Sequence, residues 1–79
     1  MERLENLLRA LARSLVEEPE MVEVTGTEID TRVELELRVA QEDMGKIIGR
    51  GGRTIRAIRT VVKAASVNVG KRVSVEVPD

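Results

Sequence analysis

The chain has 79 residues, 42% of them hydrophobic and 34% charged, with a net charge of −1 and no cysteine, histidine, tyrosine, tryptophan or phenylalanine. That length admits one domain with one modest core. The missing cysteines exclude a disulfide framework and a thiolate metal site, and no run approaches the ~20 apolar residues of a membrane span.

The start, MERLENLLRA, is amphipathic and carries acids, unlike a signal peptide, so a cytoplasmic location with no membrane partner is expected. Residues 1–43 hold twelve acids against five bases, a balance of −7, whereas residues 44–79 hold eight bases against two acids, a balance of +6. The near-neutral total therefore hides a polarised molecule, with no acid between Met44 and Val75. An arbitrary charge cluster is usually solvated surface; what sets this one apart is the glycine turn inside it.

Leu4, Leu7, Leu8, Leu11 and Leu15 fall on one helical face, widened by Ala12 and Val16, and predict a helix from Glu2 to Glu17 closed by Pro19. The stripe reads as core rather than as a partner-binding surface. Val22 and Val24 alternate with Glu23, then Val33, Leu35, Leu37 and Val39 with Arg32, Glu34, Glu36 and Arg38. This period of two predicts a hairpin covered on one face, with its turn near Ile29 to Thr31 and a bulge or bend at Gly26. Glu34 and Glu36 read as solvated charges.

Gln41 to Ile48 predicts a short helix, with Glu42 and Asp43 complementing its dipole. Arg53 to Val67 predicts a longer one. On its helical wheel Ile55, Ile58, Val61, Val62 and Ala65 lie between about 80° and 200° from Arg53. Arg53, Arg56, Arg59 and Lys63 lie between about −120° and 0°, a stripe of cations opposite the core face. Val73, Val75 and Val77 form a last strand between Gly70 and Pro78, with Lys71 and Arg72 before it facing water. The order helix, strand, strand, helix, helix, strand gives an α+β fold, a three-stranded sheet with three helices on one face.

The two last helices meet at Gly49-Arg50-Gly51-Gly52, inside the stretch MGKIIGRGGRTI. Glycine permits positive φ and close approach of another backbone. The turn feeds the N-terminus of the Arg53 helix, where free N–H groups and the positive dipole end suit a phosphate. Lys46, Arg50, Arg53 and Arg56 add charge around it. A plain tight turn is the simpler use of two glycines; three in four residues, flanked by cations, exceed what a turn requires. The string is neither a P-loop nor a dinucleotide fingerprint, which need other spacings after a strand.

The segment Ile47 to Ile55, IIGRGGRTI, resembles the K-homology (KH) signature, an I-G-x-x-G-x-x-I string joining two helices. Gly49 and Gly52 match its glycines, Arg50 and Gly51 its variable pair, and Ile48 and Ile55 its flanking apolar positions. The element order is similar to that of a type II KH domain, with a β-α-α-β core over about residues 31–78 preceded by a helix and strand over about residues 2–29. The whole chain, 1–79, then reads as one such domain, similar to the small bacterial single-KH proteins of the KhpA type.

That resemblance implies single-stranded RNA as ligand, with the GXXG loop clamping the nucleotide backbone. It implies self-pairing, or pairing with a larger KH-containing protein. The Gly49 to Gly52 backbone and Arg50 then hold phosphates, Lys46, Arg53 and Arg56 add electrostatics, and Ile47, Ile48 and the second strand, Val33 to Val39, floor an aliphatic groove for bases. Such a groove replaces the aromatic stacking on which other single-strand binders depend and which this chain lacks. Ile55, Ile58 and Val62 are core; Arg59 and Lys63 either extend the RNA track or are solvated. A role as RNA chaperone or post-transcriptional regulator follows by resemblance. The alternative is a protein-interaction subunit whose glycine corner is structural. An enzyme is disfavoured by the missing histidine and cysteine, and neither cofactor nor metal is expected.

Overall fold

A computed structural model describes residues 2–78. Its regular elements are α1 (Glu2–Arg13), β1 (Glu23–Ile29), β2 (Arg32–Arg38), α2 (Met44–Ile48), α3 (Arg53–Ala65) and β3 (Arg72–Glu76). Short 3₁₀ turns at Pro19–Met21, Gln41–Asp43, Arg50–Gly52 and Ser66–Val69 join them. The expected α+β order and helix layer are both present.

Glu2 and Glu5 in the first turn of α1 and Arg13 in the last complement the helix dipole. Twelve residues are too few for an isolated helix to be stable in water. Burial of Leu4, Leu8 and Ala12 holds α1 instead, at roughly 1.5–3 kcal/mol for each fully buried leucine. The helix ends at Arg13, short of the expected Glu17. The Ser14 hydroxyl donates to the Leu11 carbonyl at 2.7 Å, and the Leu15 amide to Ala12 at 3.0 Å. This tighter closure draws the chain out of the helix, leaving Leu15 exposed. Pro19 therefore opens a 3₁₀ turn instead of closing α1.

β1 and β2 pair antiparallel from Glu23↔Arg38 to Ile29↔Arg32, leaving Asp30 and Thr31 as the hairpin turn. Asp30 takes the left-handed conformation, φ 53°, which aspartate tolerates better than most residues. Gly26 pairs regularly with Leu35, so the expected bulge is absent. Its missing side chain makes room for that of Glu5, which crosses over it from α1.

β3 runs parallel to β2, from Arg32↔Arg72 to Glu36↔Glu76, so the sheet order is β1-β2-β3 with β2 in the middle. Val33, Leu35 and Leu37 of β2 are wholly buried and join Ile47 of α2, Ile55, Ile58 and Val62 of α3, Val75 of β3 and the α1 stripe in one core. The opposite face of β2 carries Arg32, Glu34, Glu36 and Arg38, with Arg38 paired to Glu36 at 2.9 Å. The core face of α3 is narrower than its wheel predicts, since Val61 is 43% exposed and Ala65 is also exposed. α3 stops at Ala65, before the expected Val67, where the Ser66 amide reaches the carbonyls of Val62, Lys63 and Ala64.

The predicted helix over Gln41 to Ile48 divides into a 3₁₀ turn and α2. Asp43 stands at that junction, yet makes no side-chain capping bond to α2. It is 1% exposed, and its two carboxylate oxygens accept from the amides of Glu17 and Glu18 at 3.2 and 3.1 Å. Its role is thus to bind the loop after α1 to the start of α2, a long-range contact that dipole reasoning about α2 does not reveal.

Substituting Asp43→Ala leaves those two amides without their acceptor, and we expect a loss of about 1–3 kcal/mol, read from the midpoint of urea unfolding. The same neighbourhood is crowded with acids. The Glu18 carboxyl is held above its usual range, chiefly by Glu42, then by desolvation, Glu20, Asp43 and Glu17. A carboxyl with a raised folded-state pKa binds its proton more tightly when folded, so its ionisation disfavours the fold at neutral pH. Glu18→Gln should therefore raise the melting temperature slightly at pH 7, with the gain fading as the pH falls through the raised Glu18 pKa towards the unfolded value.

Candidate nucleic-acid interface

The corner between α2 and α3 is built from three glycines with positive φ: Gly49 at 76°, Gly51 at 63° and Gly52 at 78°. The Gly49 amide closes α2 on the Gly45 carbonyl at 2.8 Å, the Gly52 amide returns to Gly49 at 3.1 Å, and the Arg53 amide to Arg50. α3 begins without a side-chain cap, so its first-turn amides after Arg53 have no side-chain partner.

The glycines divide the work. A Cβ on Gly49 would stand 2.8 Å from the Thr54 backbone nitrogen, so its glycine is needed by the turn itself. A Cβ on Gly51 or Gly52 would meet nothing within 4 Å. Those two supply the left-handed conformation and leave an uncovered stretch of backbone at the entrance to α3.

The predicted site residues separate into groups. Arg50 at the turn and Arg53 at the start of α3 are exposed, with no carboxylate in ion-pair reach among the described residues. Arg56 donates to the Gly51 carbonyl at 3.1 Å and braces the turn. Lys46 lies near acids, 3.7 Å from Glu17 and 3.8 Å from Asp43. Ile47 is wholly buried and supports α2 from below, while Ile48 is only half-buried.

The expected groove floor needs correction. As the central strand, β2 has its apolar side chains entirely under the helices, without surface for a ligand. The strand beside α3 is β3: the Arg59 Nε donates to the Val75 carbonyl at 3.2 Å. Arg59 thus spans the α3–β3 seam while remaining exposed to solvent. Val73 on β3, Val77 just after it and Ile48 on α2 are partly buried aliphatic side chains packed against the core. Sequence alone gave no sign of the Arg59 contact, which depends on β3 being an edge strand.

A glycine turn between two helices, backed by this three-stranded sheet, defines a type II KH domain. Residues 5–77 match the family described as KhpA/KhpB, KH domain, and the chain belongs to that family. It is 50% identical over 74 residues to the RNA-binding protein KhpA of Clostridium acetobutylicum, covering 94% of this chain and 99% of that one. It is 41% identical over 78 residues to RNA-binding protein KhpA of Bacillus subtilis, covering 99% and 96%. The fold also matches Era in complex with MgGDPNP and a stretch of 16S ribosomal RNA, with a TM-score of 0.70 and 21% identity. That match takes in 94% of this chain but 28% of the Era chain.

The difference between the glycines is measurable as stability. Gly49→Ala combines a backbone clash with a positive φ and should cost at least the ~1–3 kcal/mol of such strain. Gly51→Asp meets open space but keeps a positive φ, which aspartate adopts more readily than most residues, so its unfolding midpoint should fall clearly less than that of Gly49→Ala.

Proposed function

We propose that the domain binds single-stranded RNA without catalysing a reaction, holding the phosphate backbone at the Gly49–Gly52 turn. The observation that carries this reading is the uncovered backbone at Gly51 and Gly52, beside the opening amides of α3, which no side chain caps. Arg50 and Arg53 beside it supply charge not already neutralised by an acid. Phosphate suits such donors at a helix N-terminus. Arg56 shapes the turn, Lys46 contributes once drawn from Glu17, and Ile48 over buried Ile47 offers apolar surface to a base. Both KhpA relatives carry RNA binding in their names, which supports the same ligand here.

A single small contact set binds weakly, and two linked sites raise avidity without new contacts. We therefore infer a dimer, with itself or with a larger KH-containing protein, acting as an RNA chaperone or post-transcriptional regulator. Val61, Val67 and Val69 are exposed aliphatics on and after α3, with Val67 75% exposed. They are the surface that most favours pairing, and also what supports the second reading, an interaction subunit whose glycine corner is structural.

The test is fluorescence anisotropy with a labelled pool of short single-stranded RNAs. The wild type is compared with Arg50→Asp/Gly51→Asp, and circular dichroism verifies folding. With three to four phosphates neutralised, log affinity should fall against log salt with a slope of roughly −2 to −3. The folded variant should lose binding. Equal binding by both proteins would move the RNA elsewhere. No binding by the wild type at low salt, with tight dimerisation, would establish the second reading instead.

A further inference from the structure

A second groove lies at the other end of α3. Its volume is ≈ 760 Å³, and it is bounded by the last turn of α3, the following loop, the start of β3 and the β1–β2 turn. Four cations line it, Arg32, Lys63, Lys71 and Arg72, together with the hydroxyl of Ser74 and the exposed side chain of Val67. No carboxylate lines it. Lys71 pairs with Glu28, and Arg32 lies 3.5 Å from Glu34. Among the described residues, Lys63 and Arg72 have no carboxylate in ion-pair reach.

One feature opposes an anion here. The C-terminal end of α3 carries about half a negative elementary charge. Its last carbonyls are already engaged: the Ser66 amide reaches three of them, and the Ser66 hydroxyl donates to Lys63. Two unpaired cations and two partly neutralised ones outweigh that residue of dipole. The groove is therefore a net cationic hollow with a hydroxyl and an apolar wall.

We propose that this groove is a second phosphate subsite for the RNA strand whose other end is held at the glycine turn. The proposal rests on the RNA-binding reading above. α3 is 13 residues long, so the two subsites are separated by about 18 Å along its axis. Arg59, between them, is occupied by the Val75 carbonyl and serves as a spacer. A GXXG loop clamps about four nucleotides; the groove takes phosphates beyond that segment. The strand is held electrostatically at both ends.

The test compares a tetranucleotide with a single-stranded RNA of about ten nucleotides, titrated over a range of salt. Lys63→Gln/Arg72→Gln removes the two unpaired cations from exposed positions. Arg9→Gln/Arg13→Gln makes the same charge change on α1, and Arg50→Asp/Gly51→Asp disables the turn. Urea midpoints verify that all remain folded.

The groove variant should bind the longer RNA several-fold more weakly, with a salt slope shallower by roughly 0.7–1.4, as for one or two lost phosphate contacts. Its affinity for the tetranucleotide, and the α1 variant's affinity for both lengths, should match the wild type. The turn variant should lose both lengths. An unchanged groove variant beside a defective turn variant would overturn the second subsite while leaving RNA binding at the turn intact. Equal losses on both lengths, or the same loss in the α1 variant, would reduce the groove to general attraction and overturn it too. Failure of the wild type to bind either RNA would overturn the RNA reading and the subsite together.

Discussion

The two hydrogen bonds that the Glu17 and Glu18 amides donate to the Asp43 carboxylate join stretches of chain 26 and 25 residues apart. α2 is only five residues long, too short to fix its own position. It is placed by Ile47 in the core beneath it and by Asp43 at its entrance. The glycine turn follows directly, so its orientation against α3 depends on that buried carboxylate. An ionised group removed from water is costly unless its acceptors are filled. Here two backbone donors fill them, and Lys46 lies 3.8 Å away.

This arrangement gives a physical meaning to the charge asymmetry of the chain. The acid-rich half is folded against α2 around Glu17, Glu18 and Asp43, while the cation-rich half leaves Arg50 and Arg53 uncovered on the other side of the same turn. Lys46 lies at the boundary and is drawn towards the acids. The exposed member of that pair, Glu17, contributes little, so the ion pair that engages Lys46 is weak. Acids on one flank and open cations on the other give an anionic strand a preferred direction of approach, a steering effect that weakens with salt.

Much of the fold was legible because α1, β2, α3 and β3 each carry a clean apolar period, and because the glycine corner lies directly before α3. What escaped the sequence depends on tertiary partners. The early end of α1 is decided by a Ser14 hydroxyl whose choice between water and the Leu11 carbonyl has no periodic signature. The role of Asp43 requires knowing that residues 17 and 18 return beside it. The middle position of β2 follows from its parallel pairing with β3, and local alternation does not state which strands are neighbours. At the candidate site, the glycines and Arg50, Arg53 and Arg56 could be named from the string IIGRGGRTI and the wheel of α3. The engagement of Arg59 and the convergence of Arg32, Lys63 and Arg72 could not, because those residues come from separate elements.

The contact between Arg59 and the Val75 carbonyl has a consequence for what the domain keeps out. β3 is an edge strand, and an edge with vacant carbonyls and amides is a template on which a foreign strand adds, the first step towards domain swapping or aggregation. By laying a guanidinium across that edge, α3 interrupts the ladder an incoming peptide would need. A nucleotide strand, which has no regular row of amides to match, is not hindered in the same way. One side chain thus protects the edge of the sheet, at a position the apolar pattern of β3 does not mark.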